Sequence, residues 1–150
     1  MAATTSGAIK AYLEALALGV PVFRDGPRPG QDYPYIVVTE AVSIGPDGTA
    51  AGDFGDPAAE VNIIEVATVD LVQRGRAKTG ASTTKNVERY GLAEAIARRL
   101  HGCSLPAHPA KVHGVKATDI DRIPLADNIV RHSITVTLHR ELLLSEVIPA

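Results

Sequence analysis

The chain has 150 residues, 45% of them hydrophobic and 21% charged, with a net charge of −2. That length supplies one ordinary domain with a core that needs no staples, and its single cysteine excludes an internal disulfide. No apolar run approaches the roughly 18 residues of a membrane span, the charge gives no whole-chain attraction to phosphate or anionic lipid, and two phenylalanines, four tyrosines and no tryptophan make a poor base-stacking surface.

The opening stretch MAATTSGAIK has neither the cationic start nor the apolar run of a signal peptide, so a reducing, intracellular setting is expected. Residues Thr5 to Leu18 set Ile9, Leu13 and Leu16, with Tyr12 beside them, at helical spacing. Thr4, Thr5 and Ser6 offer N-cap hydroxyls, Gly19 suits the left-handed position after the helix, and Pro21 forbids its continuation. A short strand around Val22 and Phe23 leads into a turn-rich link. From Tyr35 to Ile44, Ile36, Val38, Val42 and Ile44 alternate with Tyr35, Val37, Thr39 and Ala41, which predicts one strand interrupted in pattern only by Glu40.

Residues 45–60 hold four glycines, two prolines and one large apolar side chain, Phe54, so a mobile hairpin loop is expected there. Val61 to Val72 returns as a long strand, antiparallel to the preceding one and with an imperfect alternation that suggests a bulge. QRGRAKTGASTTK, residues 73–85, carries Arg74, Arg76, Lys78 and Lys85 without an acid and reads as an exposed stretch. A second helix is predicted from about Lys85 to His101, with Thr83 or Thr84 as N-cap, Glu88 in the first turn, and Leu92, Ile96 and Leu100 in line with Ala93 and Ala97. A weak strand within Lys111 to Ile123 and a clear one alternating Val130, Ile134, Val136 and Leu138 with polar residues close the domain. The tail ELLLSEVIPA, residues 141–150, reaches on the order of 30 Å if extended.

These elements predict a single α+β domain over residues 1–150, in the order α-β-β-β-α-β-β. Both helices carry one apolar stripe and the last strand is polar on one face. The economical packing is therefore a mostly antiparallel sheet with two helices on the same side.

LHGCSLPAHPAKVHG, residues 100–114, gathers His101, His108 and His113 around Cys103. Helix termination explains its first half: Arg98, Arg99 and His101 suit the last turn, Gly102 the left-handed position beyond it, and Pro106 the stop. Zinc binding is disfavoured, because the segment has no C-x2-C knuckle and prolines flank His108 closely. A nucleophilic Cys103 is disfavoured too, since it follows a helix C-terminus, the wrong end of the dipole for lowering a thiol pKa; a buried small hydrophobe is the expectation. GRAKTGAST lacks the lysine directly after Gly80 that a phosphate-binding loop requires, and Asp119 and Asp121 read as a solvated strand face. No metal, cofactor or catalytic residue is assigned.

Taken in order, AIKAYLEALA followed by GVPVF, the proline-led DYPYIVVTEA, an Asp/Gly loop, VNIIEVATVD, a helix ending AIARRLHG and the closing RHSITVTLHRE resemble the tail terminator, or tail-completion, proteins of long-tailed phages over nearly the full chain. The resemblance implies a virion protein without enzymatic activity, assembled in the host cytoplasm. A homohexameric ring of it caps the finished tail tube at the head–tail junction. Its implied partners are copies of itself, the tail tube protein and a head-completion or neck protein, with DNA passing through the lumen without specific binding and with no membrane involved. Asp47, Asp53, Asp56 and Glu60 are then expected to line the lumen with charge that repels phosphate. Arg74, Arg76 and Lys78, with the apolar Leu142, Leu143 and Leu144, are expected to face a neighbouring subunit or the tube. The alternatives are another head–tail connector or tail tube protein, and a small α+β enzyme or ligand-binding domain that uses the histidine segment.

Overall fold

A computed structural model describes residues 4–51, 60–74 and 91–141. Among these the order is helix α1 (Thr5–Ala15), strands β1 (Val22–Arg24), β2 (Tyr35–Val38), β3 (Val42–Ala51) and β4 (Glu60–Arg74), helix α2 (Leu92–Leu100), strand β5 (Val112–Pro124), a 3-10 turn (Ala126–Asn128) and strand β6 (Ile129–Glu141). The strands form one six-stranded sheet in the order β1-β2-β4-β6-β5, with β3 on β4 beside β2. Every pairing is antiparallel except β1 with β2. The α+β class and the mostly antiparallel sheet therefore agree with the sequence pattern.

The sequence pattern merges two strands that the fold separates. Continuing the alternation of Ile36 and Val38 would send the Glu40 carboxylate into the core, at a cost of several kcal/mol for an unpaired charge. The chain instead leaves the ladder at Thr39, whose hydroxyl and amide bond Thr68, and Glu40 accepts hydrogen bonds from Ser6 and Arg24. Val42 then restarts pairing farther along β4, opposite Val66, with 65% of its surface exposed. A second correction concerns residues 45–60: Gly45 to Ala51 continue β3, and Glu60 opens β4. Ladder hydrogen bonds are made by backbone and need no apolar side chain; Pro46 is tolerated because β3 is a border strand with register shifts on both sides of it.

The helices also end differently from their sequence patterns. Thr4 caps α1, its hydroxyl accepting from the Gly7 amide, but α1 stops at Ala15, where Leu16 is the cap and Ala17 turns left-handed with φ 52°. Helix α2 begins only at Leu92, because Gly91 before it holds φ 85° and caps without a side chain; its first-turn acid is Glu94. The predicted caps Thr83 and Thr84 and residues Lys85 to Tyr90 lie outside the described residues. At the other end His101 is the cap and Gly102, at φ 74°, makes the left-handed exit and donates to the Val115 carbonyl. That bond fastens the end of α2 to β5.

Residues of one parity along the strands, Ile36 and Val38, Val69 and Leu71, Ile134, Val136 and Leu138, join Ile9 and Leu13 of α1 and Ile96 and Leu100 of α2 in a single hydrophobic cluster. The Tyr12 hydroxyl donates to the Arg99 carbonyl at 2.7 Å, linking the two helices directly. Each of these aliphatic side chains contributes about 1.5–3 kcal/mol by leaving water. The residues of opposite parity form the second face of the sheet.

Candidate functional site

The histidine segment comes apart when its partners are traced. His101 Nδ1 accepts from the Ala117 amide at 3.3 Å, tying the helix exit to β5. His113 Nε2 pairs with Asn62 Oδ1 at 2.9 Å, and His108 is buried among other groups. No group of three or more His, Cys, Asp or Glu among the described residues is placed to hold a metal. Cys103 is half-buried, packed against the core rather than within it, and burial pushes its thiol pKa up. A depression of about 550 Å³ lies between the exit of α2 and β5, lined by His101, Cys103 and His113; an enzyme built on this segment would have to use it.

His108 belongs to a network that the sequence pattern did not single out. The Ala110 amide donates to its Nδ1 at 2.9 Å, so the ring proton sits on Nε2, which lies 2.8 Å from Thr5 Oγ1. Nε2–H donates to that hydroxyl, and the hydroxyl gives its own proton to Glu65 Oε1 at 2.6 Å. The Arg140 guanidinium donates to the same carboxylate oxygen. Glu65 and Arg140 lie on the core side of β4 and β6, opposite Leu138 and Ile63 respectively. The signal in the sequence was two opposite charges at inward parity on adjacent strands. Chemically this is a fully wired, neutral assembly that pins α1, the segment after α2 and the central strands together.

The second face offers a more open arrangement. Tyr35, Val72, Arg131 and Ile123 lie side by side across β2, β4, β6 and β5, with Val37, Asp70, Ser133 and Asp121 in the next row. A cleft of about 340 Å³ opens here, lined by Tyr33, Tyr35, Asp70, Leu125, Ile129 and Arg131 among others. Tyr33 stacks on Tyr35 with ring centres 5.5 Å apart, and Phe23 meets Tyr35 edge-on. Burial raises the Tyr35 pKa, with Tyr33 adding to it. Asp70 Oδ1 and Arg131 Nε are both shielded from water and have no hydrogen-bond partner among the described residues. Leaving such a group unsatisfied costs about 1–3 kcal/mol.

The sheet also ends in borders. β3 and β5 flank it, each with one side that has no strand partner among the described residues, and each shows an apolar side chain to solvent, Val42 and Ile120. In β5 the ladder shifts between Ala117 and Ile120, so Asp119 lies in the irregular stretch and the regular two-residue alternation is lost there. Of the residues predicted to act, Arg74 ends β4 rather than entering a polar loop, and its guanidinium lies 5.4 Å from the centre of the Tyr33 ring. Asp47 lies within β3 and Glu60 at the start of β4. Asp53, Asp56, Arg76, Lys78, Leu142, Leu143 and Leu144 lie outside the described residues.

No family model matches the sequence, and no curated protein matches it. Among solved structures, a chain from the virion of a native gene transfer agent (GTA) particle is similar, with a TM-score of 0.67 over 93% of this chain and 96% of that one, at 13% sequence identity. The two share a fold across nearly their whole lengths.

Proposed function

We propose that the chain is a structural virion subunit, without enzymatic activity, that closes the phage tail tube as a ring. The observation that carries this is the fold shared end to end with a chain in a GTA virion. Supporting it, border strands β3 and β5 lie on opposite sides of the sheet. One patch on each copy can thereby meet a different patch on the next, which is the contact a closed ring requires.

In this assembly, proposed to be a homohexamer, the tube protein lies below the ring and a head-completion or neck protein above it. Asp47 lies in β3 and Glu60 opens β4, with Asp53 and Asp56 between them in the sequence, and a ring that turns this part of each copy inward presents repeated negative charge to passing DNA. Arg74, Arg76 and Lys78 face a neighbour or the tube, where reversing their charge weakens association in a salt-dependent way.

Electron microscopy of the purified protein tests the reading: an annulus with a central hole is expected, with light scattering giving about six subunits. Added to polymerising tail tubes, the protein should fix their length. A monomer that leaves tube growth unaltered would sink the proposal, and incorporation along the whole tube would reassign the chain as a tube subunit.

A further inference from the structure

We infer that His108 makes the strap between α2 and β5 an acid-sensitive clasp: with the imidazole neutral the strap is closed on α1, and a second proton on the imidazole opens it. The strap, residues 103–111, has no helix or strand of its own. Leu105, His108 and Ala110 anchor it as buried side chains, while Pro106, Ala107 and Pro109 between them face solvent. Of the three anchors, His108 carries the polar link to α1.

Both imidazole nitrogens are committed. Nδ1 accepts from the Ala110 amide at 2.9 Å, and Nε2–H donates to Thr5 Oγ1 at 2.8 Å. An imidazolium carries N–H at both nitrogens, so a proton on Nδ1 sets two donors against each other and breaks the Ala110 bond. Charge opposes that proton as well. Among the described residues, Glu65 from β4 and Arg140 from β6 are the charged groups of the relay, and they pair with each other. Helix α1 brings the Thr5 and Ser6 hydroxyls and no acid in its first turn. Glu40 bonds Ser6 and Arg24, the His113 imidazole on β5 pairs with Asn62, and Lys111 of the strap itself is exposed. An imidazolium would therefore leave net positive charge in a site shielded from water.

Opening lifts both constraints. A freed imidazole takes its proton at the ordinary histidine value of about 6.5, whereas the clasped one stays neutral. The open strap binds more protons than the closed one, so the clasp holds above that value and weakens as pH falls below it, nearly tenfold in open population per pH unit. The opening is local: the His101 and Gly102 amides that end α2 donate to Ala97 and Val115 and do not involve the imidazole. At the strap's far end the Lys111 carbonyl accepts from the Glu141 amide at 2.9 Å, so the clasp also steadies the end of β6.

Hydrogen exchange of the full chain by NMR, corrected for the intrinsic pH dependence of exchange, tests the clasp. Between about pH 7 and about pH 5 the protection of the Ala110 amide should fall roughly twentyfold, while the Gly102 amide keeps its protection. His108→Asn retains an acceptor for an amide two residues on and does not titrate; its Ala110 amide should change by less than about twofold over the same range. Imidazole nitrogen shifts of the unsubstituted chain give a second reading, and they decide alone if the variant does not fold. They should show a bare Nδ1 and a protonated Nε2 at neutral pH, with the second proton arriving only as Ala110 loses protection.

An imidazolium formed while the Ala110 amide stays protected, equal acid responses with and without His108, or a parallel loss at Gly102, which marks unfolding of the whole domain, each overturn the clasp. The subunit ring proposed above is judged separately, since the clasp needs only one chain.

Discussion

Strand β6 presents two opposite sides to two different environments. Val130, Ile134, Val136 and Leu138 point to the core and are buried, whereas Arg131, Ser133, Thr135 and Thr137 alternate with them on the second face and stay half-exposed. The contrast extends to the charged groups. On the core side Glu65, Arg140, Thr5 and His108 satisfy one another, while on the second face Asp70 Oδ1 and Arg131 Nε are shielded yet unpartnered. The core-side network closes on itself, whereas the second side leaves this donor and this acceptor without partners among the described residues.

The largest expected effect comes from exchanging arginine for a hydrophobe on each side. Arg140→Met strands the Glu65 carboxylate in the core and should cost about 3–5 kcal/mol, with much of it recovered when Glu65→Met is added. Arg131→Met, in the same strand on the other side, removes a donor that had no partner and should change stability by less than about 0.5 kcal/mol. Urea midpoints of the three variants measure this, and equal losses at the two arginines would erase the distinction between the sides.

A second pair sharpens the same contrast with apolar and small polar side chains. Ile134→Ala opens a cavity in the core cluster and should cost about 2–5 kcal/mol, while Thr135→Ala next to it should stay within about 0.5 kcal/mol. Smaller again is Thr5→Val, which keeps the shape but breaks the relay between His108 and Glu65. About 1–3 kcal/mol is expected from two buried polar groups left short of a partner, read from the thermal or urea midpoint at neutral pH.

The sequence exposed the regular parts of this fold because regular parts have a period. The stripes of α1 and α2 and the alternation of β6 pointed to Ile9, Leu13, Ala93, Ile96, Ala97, Leu100, Val130, Ile134, Val136 and Leu138, all buried, while Leu16 and Leu92 on the same stripes are only half-buried and the buried Arg140 was not foreseen. The division of β2 from β3 was not legible, because it depends on a long-range choice: Glu40 meets Ser6 and Arg24, which lie far from it along the chain. The extent of β3 was hidden for another reason, since glycine, proline and aspartate say nothing of a ladder that the partner strand β4 imposes. The cleft was invisible for a third, as Tyr33, Asp70, Leu125 and Arg131 are brought together only by strand order. The histidine cluster shows the reverse case, in which proximity in sequence suggested a site and the fold sent each ring to a separate partner.

The smallest predicted effect concerns the Cys103 thiol at the border of the core. Burial raises its pKa, and it raises that of Tyr12 as well, where proximity to Cys103 adds to the shift and Arg99 opposes it. Both groups are neutral when protonated, so the native chain holds these protons more tightly than the unfolded chain does. The resulting stability is fully present below the ordinary cysteine value of about 8.5 and is lost as pH rises through the native value. Urea midpoints should therefore decline as pH rises above about 8.5, and the decline should be shallower in Cys103→Ser, which removes one titrating group and relieves the other. Alkylation gives the same comparison kinetically: iodoacetamide should modify native Cys103 more slowly than the unfolded chain at equal pH, because less of it is thiolate. A native thiol that reacts faster than the unfolded one would reverse the sign of the shift and return Cys103 to consideration as a nucleophile in the depression it shares with His101 and His113.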